Sequence, residues 1–142
     1  MTIFVDGACR GNPGPAGIGV VIRDGQTTLK SIAQSIGSAT NNIAEYTALI
    51  RALEESSALK ARSLDIFTDS ELMFKQVTGA YKVRSPHIKE LFDQVKQLAG
   101  GFESVRIQHI PREQNKEADR LASGAIEQEE KRENKTVGFI HP

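Results

Sequence analysis

Residues 2–15 read Thr2-Ile3-Phe4-Val5-Asp6-Gly7-Ala8-Cys9-Arg10-Gly11-Asn12-Pro13-Gly14-Pro15. Ile3, Phe4 and Val5 are apolar and strand-favouring, and Asp6 follows them directly. After it comes a run of small residues and turn formers. A carboxylate this close to an apolar strand is costly to bury unpaired, because a lone charge in low dielectric loses its hydration. An Asp that caps a turn would explain this stretch taken alone. Three further acidic residues change the balance. Glu45, Asp69 and Asp119 each stand where a strand ends or a helix faces inward.

The pattern around this first strand, Thr2 to Cys9, sets the fold class. Ala16 to Arg23 alternates as a second strand, Asp24-Gly25 is a two-residue hairpin signal, and Thr27 to Ile36 gives a third strand. Short connections make these three an antiparallel meander. The polar stretch 37–42 caps a helix from Asn42 to Leu59, whose stripe is Ile43, Tyr46, Leu49, Ile50 and Leu53. Glu45 is expected in its first turn, where it would also favour the helix dipole. Ser63 to Thr68 is a short strand ending at Asp69, and Glu71 to Val77 a short helix. Pro86 opens a third helix, which Gly100-Gly101 breaks. Phe102 to Ile110 forms a last strand, and Asn115 caps a final helix carrying Ala118, Leu121, Ala122, Ala125 and Ile126. This order predicts an α/β fold with a mixed sheet covered by helices on both faces. Residues 127–135 are mostly charged without a stripe and read as a solvated helix end; residues 137–142 are too short to assign.

At 142 residues the chain has the size of one domain, and 39% hydrophobic with 25% charged residues describes a globular protein. No apolar stretch reaches membrane-spanning length, and no signal-peptide pattern opens the chain. The single Cys9 forms no internal disulfide. A cytoplasmic location without membrane contact is therefore expected. The formal net charge is zero, so nucleic-acid binding has to come from local patches.

Asp6 and Asp69 close the apolar parts of two strands. Parallel neighbours in an open sheet set such residues side by side at their carboxyl ends, where ligand sites form. Glu45 and Asp119 approach from helices. Four carboxylates do not converge unpartnered, since like charges force protonation. A hard divalent cation resolves the conflict, and oxygen ligands without a Cys cluster favour Mg2+ or Mn2+ over zinc. Two such ions roughly 4 Å apart serve in-line phosphodiester displacement.

Residues 6–15, Thr40-Asn41-Asn42-Ile43-Ala44-Glu45, Thr68-Asp69-Ser70 and Asn115-Lys116-Glu117-Ala118-Asp119-Arg120-Leu121-Ala122, in that order, resemble the type 1 ribonuclease H family over residues 1 to about 128. The resemblance implies a ribonuclease H-like fold: a five-stranded mixed sheet, three antiparallel strands then two parallel, with helices on both faces. It implies a 1–128 domain followed by a charged extension, 129–142. It also implies hydrolysis of the RNA strand of an RNA/DNA hybrid by two-metal-ion catalysis, leaving a 5′-phosphate and a 3′-hydroxyl. By the same resemblance Asp6 bridges two Mg2+ or Mn2+ ions, Asp119 holds the ion that activates water, and Glu45 and Asp69 hold the other. The Glu also lies near a ribose 2′-hydroxyl, the group that separates RNA from DNA. Asn12, Asn41 and Asn42 match positions that contact the minor groove of the hybrid, and Thr40 matches one that binds a DNA phosphate.

The sequence also departs from the family. Many relatives place a His in a longer loop before the last helix, to assist product release; here Arg112-Glu113 stand there. Glu113 is the candidate replacement, an acidic group near the water-activating metal, with His109 as the alternative. The basic protrusion of some relatives is missing as a separate segment, and Lys82 and Arg84, with Lys75 and Lys89, form a reduced substitute. No hybrid-binding segment precedes Asp6, so modest affinity is expected, and no feature implies an obligate protein partner, so the expected state is a monomer. A non-catalytic nucleic-acid-binding module on the same fold is the alternative to an enzyme.

Overall fold

The computed structural model describes residues 1–136 together with Gly138 and Ile140. Val137, Phe139, His141 and Pro142, the last part of the expected 129–142 extension, lie outside the described residues. The elements are β1 (Thr2–Cys9), β2 (Gly14–Asp24), β3 (Thr27–Ala39), α1 (Asn41–Ala58), β4 (Ser63–Thr68), α2 (Glu71–Val77), α3 (Pro86–Ala99), β5 (Ser104–His109), a 3-10 turn (Arg112–Gln114) and α4 (Lys116–Thr136). One sheet has the order β3-β2-β1-β4-β5. The first three strands pair antiparallel, and β4 and β5 add in parallel to β1. The expected mixed sheet is the one found.

Its core lies between the sheet and α1. Ile3, Val5, Val20, Ile22, Leu64 and Ile66 are buried against Tyr46, Leu49 and Leu53, with Met73, Ile88 and Val95 closing the sides. Each fully buried side chain of this type contributes roughly 1.5–3 kcal/mol over the exposed state. The opposite face is covered by α4, which lies on β1, β2 and β3 through Ala118, Ala122, Ala125 and Ile126. These are mostly small residues, so helix and sheet backbones approach closely.

Two boundaries differ instructively from the sequence reading. The ladder between β2 and β3 runs to Gly14↔Ala39 and Pro15↔Ser38, past the expected ends at Ala16 and Ile36. Alternating hydrophobicity reports burial, whereas an edge strand continues by backbone pairing through polar residues. Thr40 rather than a later residue caps α1, its Oγ1 accepting from the Ile43 N–H at 3.2 Å. Glu45 therefore sits in the second turn of α1, outside the reach of the dipole role expected for a first-turn residue. At the other end, α4 continues unbroken through residue 128 to Thr136.

Candidate active site

The parallel pairing of β1 with β4 ends at Val5↔Thr68. The next residue on each strand, Asp6 and Asp69, leaves that ladder beside its neighbour. Glu45 reaches the same point because α1 lies directly on Gly7, where any Cβ would overlap the backbone of Ala44 and Glu45. The contact is closed by a hydrogen bond from the Gly7 N–H to Glu45 Oε1. One oxygen from each of Asp6, Glu45 and Asp69 lies within 4.8 Å of the others, a spacing that suits a shared metal ion. Asp119 enters from α4 and faces the same cleft, where its negative charge bears on Asp6. Its helix can come so near because Gly19, paired with Asp6 in the sheet, offers no Cβ to the Ala118 carbonyl.

The four groups line one cleft of about 740 Å³, with Arg10, Asn41, Asn42, Ser70, Leu72, Arg112 and Glu127 among the other walls. Asp6 and Glu45 are buried, while Asp69 and Asp119 are half-exposed. Burial, then the negative charges of Glu45, Asp69 and Asp119, push the Asp6 carboxyl up to about 10. Burial likewise raises Glu45 to about 8, against the opposing hydrogen bond from the Gly7 N–H. Ionising both acids at neutral pH thus needs a compensating positive charge. Among the described residues the clustered donors are carboxylate oxygens alone, a hard set that fits Mg2+ or Mn2+.

The neutral residues of the sequence reading form a frame around this cluster. Asn12 Oδ1 accepts from the Asn41 N–H at 3.0 Å, joining the β1–β2 loop to the start of α1. Thr40 caps that helix. Asn42 Nδ2 and the Tyr46 hydroxyl both donate to Gln76 Oε1, at 3.4 and 3.0 Å, so buried Gln76 orients Asn42. Lys82 and Arg84 stand exposed in the loop between α2 and α3, outside the lining of the cleft, without an ion-pair partner among the described residues. Lys75 and Lys89 are instead paired with Glu71 and Asp93. Glu113 is exposed in the 3-10 turn and absent from the cleft lining, which Arg112 occupies, 3.6 Å from Asp119. His109 is exposed at the end of β5 and packs against Phe74, with ring centroids 6.0 Å apart.

Comparison with known proteins meets this geometry. A family model described as reverse transcriptase-like matches residues 4–125. Ribonuclease HI of Halobacterium salinarum is 40% identical over 125 residues, covering 87% of this chain and 63% of that protein. A crystal structure of RNase H1 from that archaeon superimposes with a TM-score of 0.87 at 39% identity, covering 89% of this chain and 97% of the other. LC11-RNase H1, solved in complex with an RNA/DNA hybrid, gives 0.85 at 43% identity, with 89% and 96% coverage. The chain belongs to the type 1 ribonuclease H family. The bifunctional protein Rv2228c of Mycobacterium tuberculosis is 41% identical over 129 residues, 89% of this chain and 35% of that protein. The chain therefore spans about a third of that relative.

In this ribonuclease H chain, several residues that position the site have no signature of their own in the sequence. Gly7 and Gly19 resemble ordinary turn and strand glycines until the helices that cross them are placed. Asn115 has the sequence role of a helix cap, but its buried amide also donates from Nδ2 to the Val5 carbonyl at 2.9 Å. Gln76 is an unremarked polar residue on a short helix. Only the length of the α1 stripe around Tyr46 hints that a buried hydroxyl needs a partner there.

Proposed function

We propose that this chain is an endonuclease that hydrolyses the RNA strand of RNA/DNA hybrids, giving 5′-phosphate and 3′-hydroxyl products. The observation that carries the reading is the convergence of Asp6, Glu45 and Asp69 within 4.8 Å, with Asp119 lining the same cleft. Asp6 is central to the four and is the natural bridge between two Mg2+ or Mn2+ ions. Glu45 and Asp69 would hold one ion, and Asp119 the other. Bound divalent cations supply neutralisation of phosphoryl charge and acidification of a water nucleophile.

The chain's own residues do the rest. The Gly7 N–H holds the Glu45 carboxylate toward the cluster rather than toward solvent. Asn41 and Asn42 line the cleft and Asn12 braces the start of α1 beside them, a polar set suited to sugar and base edges in a minor groove. Thr40, at the N-terminus of α1, and the cationic Lys82 and Arg84 suit phosphates. Hybrid selection then rests on 2′-hydroxyl recognition on one strand and phosphate contacts on the other. Support comes from relatives named as ribonucleases H and from the hybrid-bound neighbour.

The test is incubation with a labelled RNA/DNA hybrid, duplex RNA and duplex DNA in Mg2+, Mn2+ or chelator. The expected result is cleavage of the hybrid's RNA strand only, dependent on metal and abolished in Asp6→Asn. Hybrid binding without turnover would favour the non-catalytic module, and turnover in chelator would sink the metal assignment.

A further inference from the structure

We propose that Arg10 is a phosphate-binding residue for the hybrid, and that Glu127 and Glu130 on α4 compete for it and so set substrate affinity. The inference rests on the hybrid as substrate. Arg10 lies in the loop between β1 and β2 and lines the same cleft as the carboxylates. Its Nη1 donates to both oxygens of Glu130, each at 2.7 Å, and its Nη2 lies 3.6 Å from Glu127 Oε1.

A guanidinium presents a planar fork of donors that matches carboxylate and phosphate oxygens alike. Arg10 is thus already holding, in Glu130, a group that a phosphate can replace. The surroundings make the replacement consequential. The cleft walls carry Asp6, Glu45, Asp69, Asp119 and Glu127 against Arg10 and Arg112, and Arg112 is itself turned to Asp119. A polyanion entering here needs cations at the rim. At the α4 side the one provided by the β1–β2 loop is covered by two carboxylates.

All three side chains are about half exposed, at 48%, 58% and 41% for Arg10, Glu127 and Glu130, so the pairs are wet and weakly held. Exchange of Glu130 for a phosphate therefore needs no rearrangement of the core. The loop is independently fixed at its other side by Asn12 on the Asn41 N–H, so it stays in place when Arg10 lets go. The charged end of α4, which as sequence reads as solvated helix, acquires a role as a competitor for the substrate.

The experiment measures steady-state kinetics on a labelled hybrid across a salt series for wild type, Arg10→Ala, Glu127→Gln/Glu130→Gln and the triple variant, with thermal melts of each. The double variant should lower KM by about three- to tenfold, with kcat within about twofold and a log–log salt slope steeper by about one, as for one added phosphate contact. Arg10→Ala should raise KM and flatten the slope, and the triple variant should resemble Arg10→Ala. An unchanged or raised KM in the double variant overturns the proposal and leaves these ion pairs as a structural staple. So does a triple variant that keeps the lowered KM. Wild-type protein that does not act on hybrids would instead overturn the substrate reading and this proposal with it.

Discussion

The side chain of Asn115 donates to the carbonyl of Val5 at 2.9 Å, while its own backbone carbonyl accepts from the Asp119 N–H at 3.1 Å. One residue thus ties the strand position before Asp6 to the helix turn that carries Asp119. The two carboxylates, which line the same cleft, are held in register from behind.

Asn115→Ala should therefore cost stability and turnover together. It leaves the Val5 carbonyl without its donor in a site where Asn115 is 1% exposed. An unpaired buried polar group costs about 1–3 kcal/mol. Urea unfolding should show a lower midpoint, and kcat should fall by more than KM changes. A variant with wild-type kcat would mean that Asp119 is positioned by helix packing alone.

Gly7→Ala is a sharper test of how Glu45 is placed. The added methyl would overlap backbone atoms of Ala44 and Glu45, which no rotamer change relieves. The expected outcome is a loss of about 1–3 kcal/mol in stability and a loss of metal response in the melting curve. Retained activity would show that α1 can shift without dispersing the cluster.

How much of this was legible beforehand follows from what each signal reports. The three antiparallel strands and the helices showed in alternation and stripes, because burial on one face imposes a period. Asp6 and Asp69 were legible as a pair because parallel strands end side by side. Arg10, by contrast, gives no local signal. Its partners stand 117 and 120 residues away on α4, and only the packed helix brings Glu127 and Glu130 to it. Glu113 failed to reach the cleft for a related reason. The 3-10 turn at Arg112–Gln114 carries Arg112, rather than its neighbour, toward Asp119. Sequence spacing fixed the proximity of the pair to the site, and turn geometry decided which of the two faces it.

Stability of the metal-free protein should fall as pH rises. Asp6 and Glu45 are raised in the folded state, to about 10 and about 8, above their ordinary values of 3.8 and 4.5. Between those values and the raised ones, the unfolded chain binds fewer protons than the native one, so the slope of unfolding free energy with pH is negative. Stability that is full below pH 4 is lost progressively toward pH 8 and above. Thermal melts in chelator should therefore fall from pH 5 to pH 9, and added Mg2+ should raise the melting temperature more at pH 9 than at pH 5. Asp6→Asn should flatten the chelator curve. A pH-independent melt over that range would refute burial as the source of the raised values.

The pair of variants Arg112→Ala and Glu113→Gln separates the two residues before α4. Arg112 is exposed and 3.6 Å from Asp119, so the pair itself is worth at most about 1 kcal/mol and each variant should melt within a few degrees of wild type. Removing the guanidinium leaves Asp119 without its countercharge, which strengthens the pull of the cluster on a divalent cation. Arg112→Ala should accordingly reach its activity optimum at a lower metal concentration and release product more slowly, seen as a reduced kcat at saturating hybrid. Glu113→Gln, outside the cleft, should follow the wild-type metal titration throughout. A shifted optimum in Glu113→Gln with an unshifted one in Arg112→Ala would reverse the assignment and place the acidic residue in the metal shell.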